Sequence, residues 1–148
     1  MGPHNDSNDA KAFFLEVAEL LDLPANERRR LGAGVPFTGP GDLICRFQLV
    51  RLEGRLHARP EVILPLVESD IRRIDANQLL AVQQVLLAEM QWVLGHSAEG
   101  LLQACPSAWV TSPEEAARQL DLGVSLADLA LELLGPAPQA PKAGPTTQ

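Results

Sequence analysis

Three histidines and two cysteines are the side chains of this sequence best suited to metal binding, redox chemistry or nucleophilic catalysis. His4 lies close to the start of the chain, while His57 and His96 each stand alone, with no second ligand at the spacing of a metal site. Cys45 and Cys105 form no C-x-x-C pair and lie in apolar stretches, which is typical of reduced core thiols. These residues therefore predict no metal site and no redox centre.

The sequence also lacks a recognisable site for a nucleotide or a nucleic acid. The Gly-Pro-Gly at residues 39–41 has no Gly-Lys-Ser or Gly-Lys-Thr, and no predicted helix follows it. The arginine triplet at residues 28–30 is short, and a lone triplet of this kind is more typical of a solvated turn or a salt-bridge partner than of an anion site. The formal net charge of −7 repels a phosphate backbone, so we expect no nucleic-acid partner.

The acidic side chains fall mainly on predicted helix faces and turns, where they are expected to be solvated. No spacing in the sequence indicates a catalytic group, so we expect neither catalytic residues nor a cofactor, and a protein that is not an enzyme. A small enzyme whose site assembles from scattered residues is the alternative that the sequence leaves open.

Apolar residues that recur at helical spacing predict three amphipathic helices, at residues 9–22, 75–90 and 112–134. Asp75 and Gln78 form a capping-box-like start for the second helix, and Ser112 is the predicted N-cap of the third. Gly123 and a second possible N-cap at Ser125, with Asp128, allow a kink or break within the third helix.

Alternating apolar and polar residues predict five short antiparallel strands. They cover residues 43–51, 55–59, 62–67, 91–96 and 101–110. Pro60 predicts a stop or bulge between the second and third strands, and Pro106 predicts that the last strand lies at a sheet edge. Residues 32–41, rich in Gly and Pro, predict irregular chain with at most a short edge strand at 35–37.

The predicted order α-β-β-β-α-β-β-α defines a single α+β domain at residues 9–134. Residues 1–8 are predicted to be a disordered leader, and the Pro/Ala-rich residues 135–148 a disordered tail. The leader has no apolar core of a signal peptide, and no apolar run approaches the ~20 residues of a membrane helix. We therefore expect a cytoplasmic protein that does not insert into a membrane.

The helix at residues 75–90 is apolar over more of its circumference than one contact can cover. One stripe contains Leu79, Val82, Leu86 and Met90, and Leu80 and Leu87 lie well around the cylinder. A two-fold homodimer is the commonest arrangement that buries such a second stripe, so this helix predicts self-association.

The element order, size, acidity and wide apolar second helix resemble the class I type III secretion chaperones of the Tir-chaperone family, which are small bacterial cytosolic dimers that hold effector proteins for export. The resemblance covers residues 9–134, and its best local match is residues 79–110, LLAVQQVLLAEMQWVLGHSAEGLLQACPSAWV. In that family the dimerising helix runs directly into a hairpin whose turn often carries a glycine, as Gly100 does here. The Gly/Pro-rich residues 32–41 and Pro60 depart from the family pattern.

The resemblance implies binding, without ATP, of an extended segment near the N-terminus of one or more effectors. It implies a dimer interface drawn from one stripe or the other of the second helix, with Trp92 nearby: Leu79, Leu80, Val82, Leu86, Leu87 and Met90. It implies that effector-binding grooves are lined or supported by Phe13, Val17, Leu43, Phe47 and Leu49. Taken singly, such residues are more often plain core. The alternative function is a dimeric α/β regulatory or scaffold module, roadblock-like, without a role in secretion.

Overall fold

The computed structural model describes residues 3–97 and 99–134, with side chains from Asn8 onward. Its helices are α1 (Pro3–Leu20), α2 (Ala25–Gly32), α3 (Glu68–Arg72), α4 (Ala76–Val85) and α5 (Pro113–Leu134). A π-helical turn, Leu86–Met90, continues α4, and a 3-10 turn, Pro40–Asp42, precedes the second strand. The predicted tail at residues 135–148 lies outside the described residues.

Five antiparallel strands form one sheet in the order β1-β2-β3-β5-β4. The strands are β1 (Phe37–Thr38), β2 (Ile44–Leu52), β3 (Arg55–Ile63), β4 (Trp92–His96) and β5 (Leu102–Pro106). The α+β class predicted from the sequence is confirmed. The helices α2 and α3 are additions that the predicted order does not contain.

The hairpin of β2 and β3 follows directly from local sequence. Alternation over β2 buries Cys45 and Phe47 on one face, and Glu53 and Gly54 adopt the positive φ values of 51° and 77° that a two-residue turn requires. The resulting register pairs all nine residues of β2 with those of β3. This hairpin is therefore the longest two-stranded ladder of the sheet.

Pro60 does not interrupt β3, contrary to the predicted stop or bulge. It pairs with Phe47 inside a continuous ladder. Ala58 exchanges backbone hydrogen bonds with Val110, on the side of β3 away from β2, and alternation places the nitrogen of Pro60 on that same side. The missing N–H of Pro60 therefore removes no hydrogen bond to β2.

The edge position predicted for the strand at Pro106 is also wrong. β5 lies between β3 and β4, and Pro106 is its last residue, paired with Trp92. A proline at the end of a strand is tolerated in a central position because few ladder bonds follow it. β4 is the edge strand at this end of the sheet.

The core lies between one face of the sheet and the helices α1 and α5, which pack against each other. Phe13, Phe14 and Val17 of α1 are buried there, as are Leu120 and Val124 of α5. Phe14 contacts Phe47 of β2 with ring centroids 6.0 Å apart, and α5 lies along β3 and β5. The helices α1 and α5 thus cover one face of the sheet, and a partner can reach its backbone groups only at the edges.

Gly123 does not break α5, although the sequence allows a kink or break there. The helix is continuous from Pro113 to Leu134, and its start is capped by the Ser112 hydroxyl, which accepts a hydrogen bond from the Glu115 N–H at 3.1 Å. A Cβ built at Gly123 would lie 2.2 Å from Cη2 of Trp92. This glycine therefore lets the fully buried indole of β4 approach the helix backbone.

Of the first two predicted helices, the one at residues 9–22 starts earlier in the structure, and the one at residues 75–90 starts where the sequence predicts. α1 begins at Pro3, within the residues predicted to be a leader, and proline is tolerated in a first helical turn. For α4, Asp75 is the N-cap, and its carboxylate accepts from the Asn77 N–H at 3.1 Å. Gln78 does not close a capping box, because its side-chain amide donates to the Leu133 carbonyl of α5.

Candidate protein-interaction surfaces

The edge of the sheet at β2 carries backbone groups that no second strand of the described chain reaches. β1 pairs only with Ile44 and Cys45, so residues 46–50 of β2 have a strand neighbour only on the β3 side within the described chain. On the β1 side, the Leu43 carbonyl accepts a hydrogen bond from the Gly39 N–H at 2.8 Å, so by alternation the odd-numbered residues of β2 direct their N–H and C=O away from β3. The backbone groups of Phe47 and Leu49 therefore point to this open side.

At the opposite edge of the sheet, formed by β4, an outward backbone group has a hydrogen-bond partner. There the N–H of Leu94 points outward and donates to the side-chain carbonyl of Gln83, on α4, at 2.7 Å. The π-helical turn after α4 also contacts β4, and Trp92 and Leu94 are buried. A side-chain acceptor and a neighbouring helix thus occupy the place that an added strand would need.

The two apolar stripes of α4 have different environments. Val82 and Leu86 are buried, with Leu79 half-buried beside them, and α4 packs on α5. Leu80 and Leu87 point outward, with 60% and 48% of their side chains exposed. Of the two stripes considered for a dimer interface, the outward stripe is the one with surface to offer.

Two further residues of the predicted interface lie at the boundary between these environments. Met90, in the last turn, is exposed, whereas Trp92 is buried against Gly123 and contributes little surface. Val85 is also exposed and extends the apolar surface around α4, although the sequence prediction did not include it.

The residues predicted to line or support an effector-binding groove belong to the core of this chain. Phe13, Val17, Leu43 and Phe47 are buried, and Leu49 is half-buried against the core. In this conformation their side chains support α1 and β2 and present little surface of their own. The effector-binding role of these five residues stays a prediction. Phe47 and Leu49 contribute backbone groups, and not side chains, to the open edge of β2.

The sheet face opposite α1 and α5 carries a polar cluster around Glu61. This carboxylate is only 1% exposed and accepts from Arg46 Nε at 2.5 Å, Gln48 Nε2 at 2.6 Å and Gln103 Nε2 at 3.2 Å. The hydrogen bond and charge of Glu61 raise the pKa of Arg46. The buried carboxylate has three donors, one of which, Arg46, is also its ion-pair partner. Because these donors lie on β2 and β5, the cluster links β2, β3 and β5.

The histidines and cysteines are spread over the molecule. The ring of His57 hydrogen bonds the Arg55 carbonyl at 3.1 Å, and His96 is exposed at the end of β4. Cys45 and Cys105 are free thiols, and burial raises the pKa of Cys45 to about 12, so this thiol stays protonated. Nowhere in the described part of the chain do three His, Cys, Asp or Glu side chains group as a metal site requires.

Within residues 3–97 and 99–134, no helix combines the length and the apolar character needed to cross a bilayer.

A scan against models of known protein families matches none of them to this chain, and a search of curated proteins finds no related sequence.

Sequence reasoning identified the apolar excess of α4 but not the open edge of β2. The length of β1 decides that edge, and this strand lies in the Gly/Pro-rich segment whose local signals are weak. The one signal that was available is the contrast between nine alternating residues in β2 and two residues in β1. A long strand with so short a neighbour has a free side.

Proposed function

We propose that this chain is a non-catalytic, dimeric chaperone that holds an extended segment of another polypeptide without ATP. The client that we propose is the N-terminal segment of a type III secretion effector, bound in the cytoplasm. The observation that carries the proposal is the open edge of β2, where the backbone groups of Phe47 and Leu49 have no strand neighbour among the described residues. The class of client rests on the family resemblance of the sequence.

An extended client can add to β2 as a further strand. Main-chain hydrogen bonds to Phe47 and Leu49 would supply sequence-independent affinity, as in other complexes formed by strand addition. Client side chains would alternate, one set facing α1 and the other facing the outer side of β2, where Val50 is exposed. A binder of this kind keeps its client unfolded and needs no nucleotide.

Self-association through α4 is compatible with client binding because the two surfaces lie at opposite ends of the sheet. β2 is next to the β1 end, whereas α4 and its π-helical turn lie beside β4. The outward stripe of Leu80 and Leu87 would pack against its copy across a two-fold axis. A dimer would then present two open β2 edges, one at each end.

The dimer is tested by charge substitutions on the outward stripe. We expect Leu80→Asp and Leu87→Asp to elute as monomer or to aggregate, because each charge appears twice at a symmetric interface. Leu129→Asp is the matched control, since Leu129 is an exposed leucine on α5, and it should elute like the wild-type chain. Wild-type elution of both α4 variants would rule out this face as the interface.

The client is tested by affinity capture from the native cell, followed by mass spectrometry and calorimetry with the captured protein's N-terminal segment. We expect a secreted protein, binding at micromolar concentration or tighter, and a negative heat-capacity change from apolar burial. Capture of a membrane-associated or signalling complex, with no secreted protein, would replace the chaperone by the regulatory scaffold.

A further inference from the structure

A groove between α1 and α2 has a charge opposite to that of the protein as a whole. It has a volume of about 590 Å³. Its walls are formed by Lys11, Leu15, Arg28, Arg29, Gly32 and Ala33. The net charge of the chain is −7, yet every charged side chain that lines this groove is cationic.

The cations of the groove have no ion-pair partner among the residues whose side chains are described. Within the described residues, no carboxylate forms an ion pair with Lys11, Arg28 or Arg29. Arg28 is held in place by donating from Nε to the Leu23 carbonyl at 2.8 Å, and Arg29 donates to the Asn26 side chain at 2.7 Å. Both guanidinium groups keep further N–H donors for an external acceptor, since each has five.

The floor of the groove is apolar and open. Leu15 is 55% exposed although it is a large aliphatic residue on a helix whose other face is core. A Cβ built at Gly32 would have no atom within 4 Å, so there is free space above the last turn of α2. Leu15, Gly32 and Ala33 line the same groove, so a partner side chain above Gly32 would lie near Leu15 and Ala33.

We infer that the groove between α1 and α2 binds a segment of the client polypeptide in which acidic residues flank an aliphatic anchor. The inference rests on the proposed capture of a polypeptide and specifies the chemistry of a second contact, apart from the β2 edge. The aliphatic side chain would contact Leu15 above Gly32, and the carboxylates would pair with Lys11, Arg28 and Arg29.

The chain's own tail does not supply this complement. Residues 135–148 contain one lysine and no acidic side chain. A nucleic acid fits less well than an acidic peptide, because the groove has no aromatic side chain on which a base could stack and the overall negative charge opposes a polyanion.

The test uses two short synthetic peptides added to the isotope-labelled full chain and followed by NMR. In the first peptide glutamates flank two leucines, and in the second glutamines replace the glutamates. We expect the glutamate peptide to shift the amide signals of Leu15, Gly32 and Ala33, and the glutamine peptide to bind about tenfold more weakly or not at all.

Two variants change the groove by different means. The double variant Lys11→Glu with Arg29→Glu reverses the charge of two exposed side chains, and Gly32→Leu puts a side chain into the space above α2, where a Cβ meets no atom within 4 Å. Each should weaken glutamate-peptide binding about tenfold while the circular dichroism spectrum stays unchanged. The control, Arg72→Glu with Arg118→Glu, alters net charge equally at exposed sites on α3 and α5 and should bind like the wild type.

The inference is overturned if both peptides bind alike, if neither binds, or if the groove variants keep wild-type affinity. It is also overturned if these variants change the oligomeric state, since the groove would then contact a second copy of this chain, or if they instead lose binding to vesicles of anionic lipid or to single-stranded RNA. Capture of a secreted client by the groove variants at wild-type affinity would leave the chaperone function standing and refute the groove alone. Failure of the wild-type chain to capture any secreted protein would refute the function itself.

Discussion

The two edges of the sheet differ in what lies beside their outward backbone groups. At β4, Gln83 accepts a hydrogen bond from the Leu94 N–H at 2.7 Å and a π-helical turn lies alongside the strand. At β2, the backbone of Phe47 and Leu49 has no strand neighbour in the described chain. Natural sheets usually protect their edges against unwanted strand addition. Under the proposed function, a client strand occupies the edge that is open in the described chain.

The difference does not extend to the packing behind each edge. β4 is anchored by the fully buried Trp92, which contacts the α5 backbone at Gly123. Behind β2, the Phe47 ring contacts Phe14 at 6.0 Å and stacks on Phe37 at 6.2 Å. Both edges are thus held firmly from the core side, so the contrast lies in their outward hydrogen-bonding groups and not in the firmness of the strands.

The largest effect is expected from proline substitutions at two neighbouring positions of β2. The backbone N–H and C=O of Val50 point toward β3. Val50→Pro therefore removes a ladder hydrogen bond and should lower the free energy of unfolding by about 3 kcal/mol. The backbone groups of Leu49 point to the open side, so Leu49→Pro, measured relative to Leu49→Ala because the leucine side chain is half-buried, should cost less than half as much and abolish client binding. Urea unfolding and calorimetry provide the two measurements.

The proline comparison fails if Leu49→Pro is as destabilising as Val50→Pro. That result would mean that the Leu49 N–H has a partner in the folded protein and that the edge is not open. Retention of client binding by a folded Leu49→Pro variant would mean that the client binds elsewhere.

A smaller effect is expected at the anchor of the closed edge. Gly123→Ala places a Cβ within van der Waals overlap of Trp92, and the repacking should cost about 2 kcal/mol in urea unfolding. Gly32→Ala is the matched control, because a Cβ there meets no atom within 4 Å, and it should be neutral or slightly stabilising. Equal stability of the two variants would show that Trp92 does not lie against α5.

The smallest change in stability is expected at the Gln83 side chain itself. Gln83→Ala leaves the Leu94 N–H without its acceptor and should cost about 1 kcal/mol, while amide exchange at Leu94 accelerates. Gln84→Ala, at the exposed neighbouring position on α4, should change neither quantity. If Leu94 exchanges at the same rate in both variants, Gln83 does not close this edge.

Local signals predicted the hairpin of β2 and β3 well, because alternation and the Glu53-Gly54 turn act between residues close in sequence. The helix α2 was missed for the converse reason. It has eight residues, its N-cap position is Pro24 with no side-chain cap, and Leu31 is its one buried residue. Its stability comes from packing against α1 and β1, which sequence periodicity does not reveal.

Local sequence signals did not predict which strands lie next to each other in the sheet. Pro60 is compatible with an interior strand here because its nitrogen points away from β2, and Pro106 is compatible because it is the last residue of β5. Both explanations depend on the order β2-β3-β5-β4. Periodicity likewise found two apolar stripes on α4, but the packing of α5 decides which one is buried. The open edge of β2 depends on the same non-local information, since it exists only because β1 is short.

The most direct test of the open edge is hydrogen exchange of backbone amides, measured with and without the N-terminal segment of the secreted protein captured by the chain. Strand addition should slow exchange at Phe47 and Leu49 and leave the Leu94 amide, already bonded to Gln83, unchanged. A client that binds while the exchange rates of Phe47 and Leu49 stay as they are in the unbound chain would contradict the proposed mode of binding.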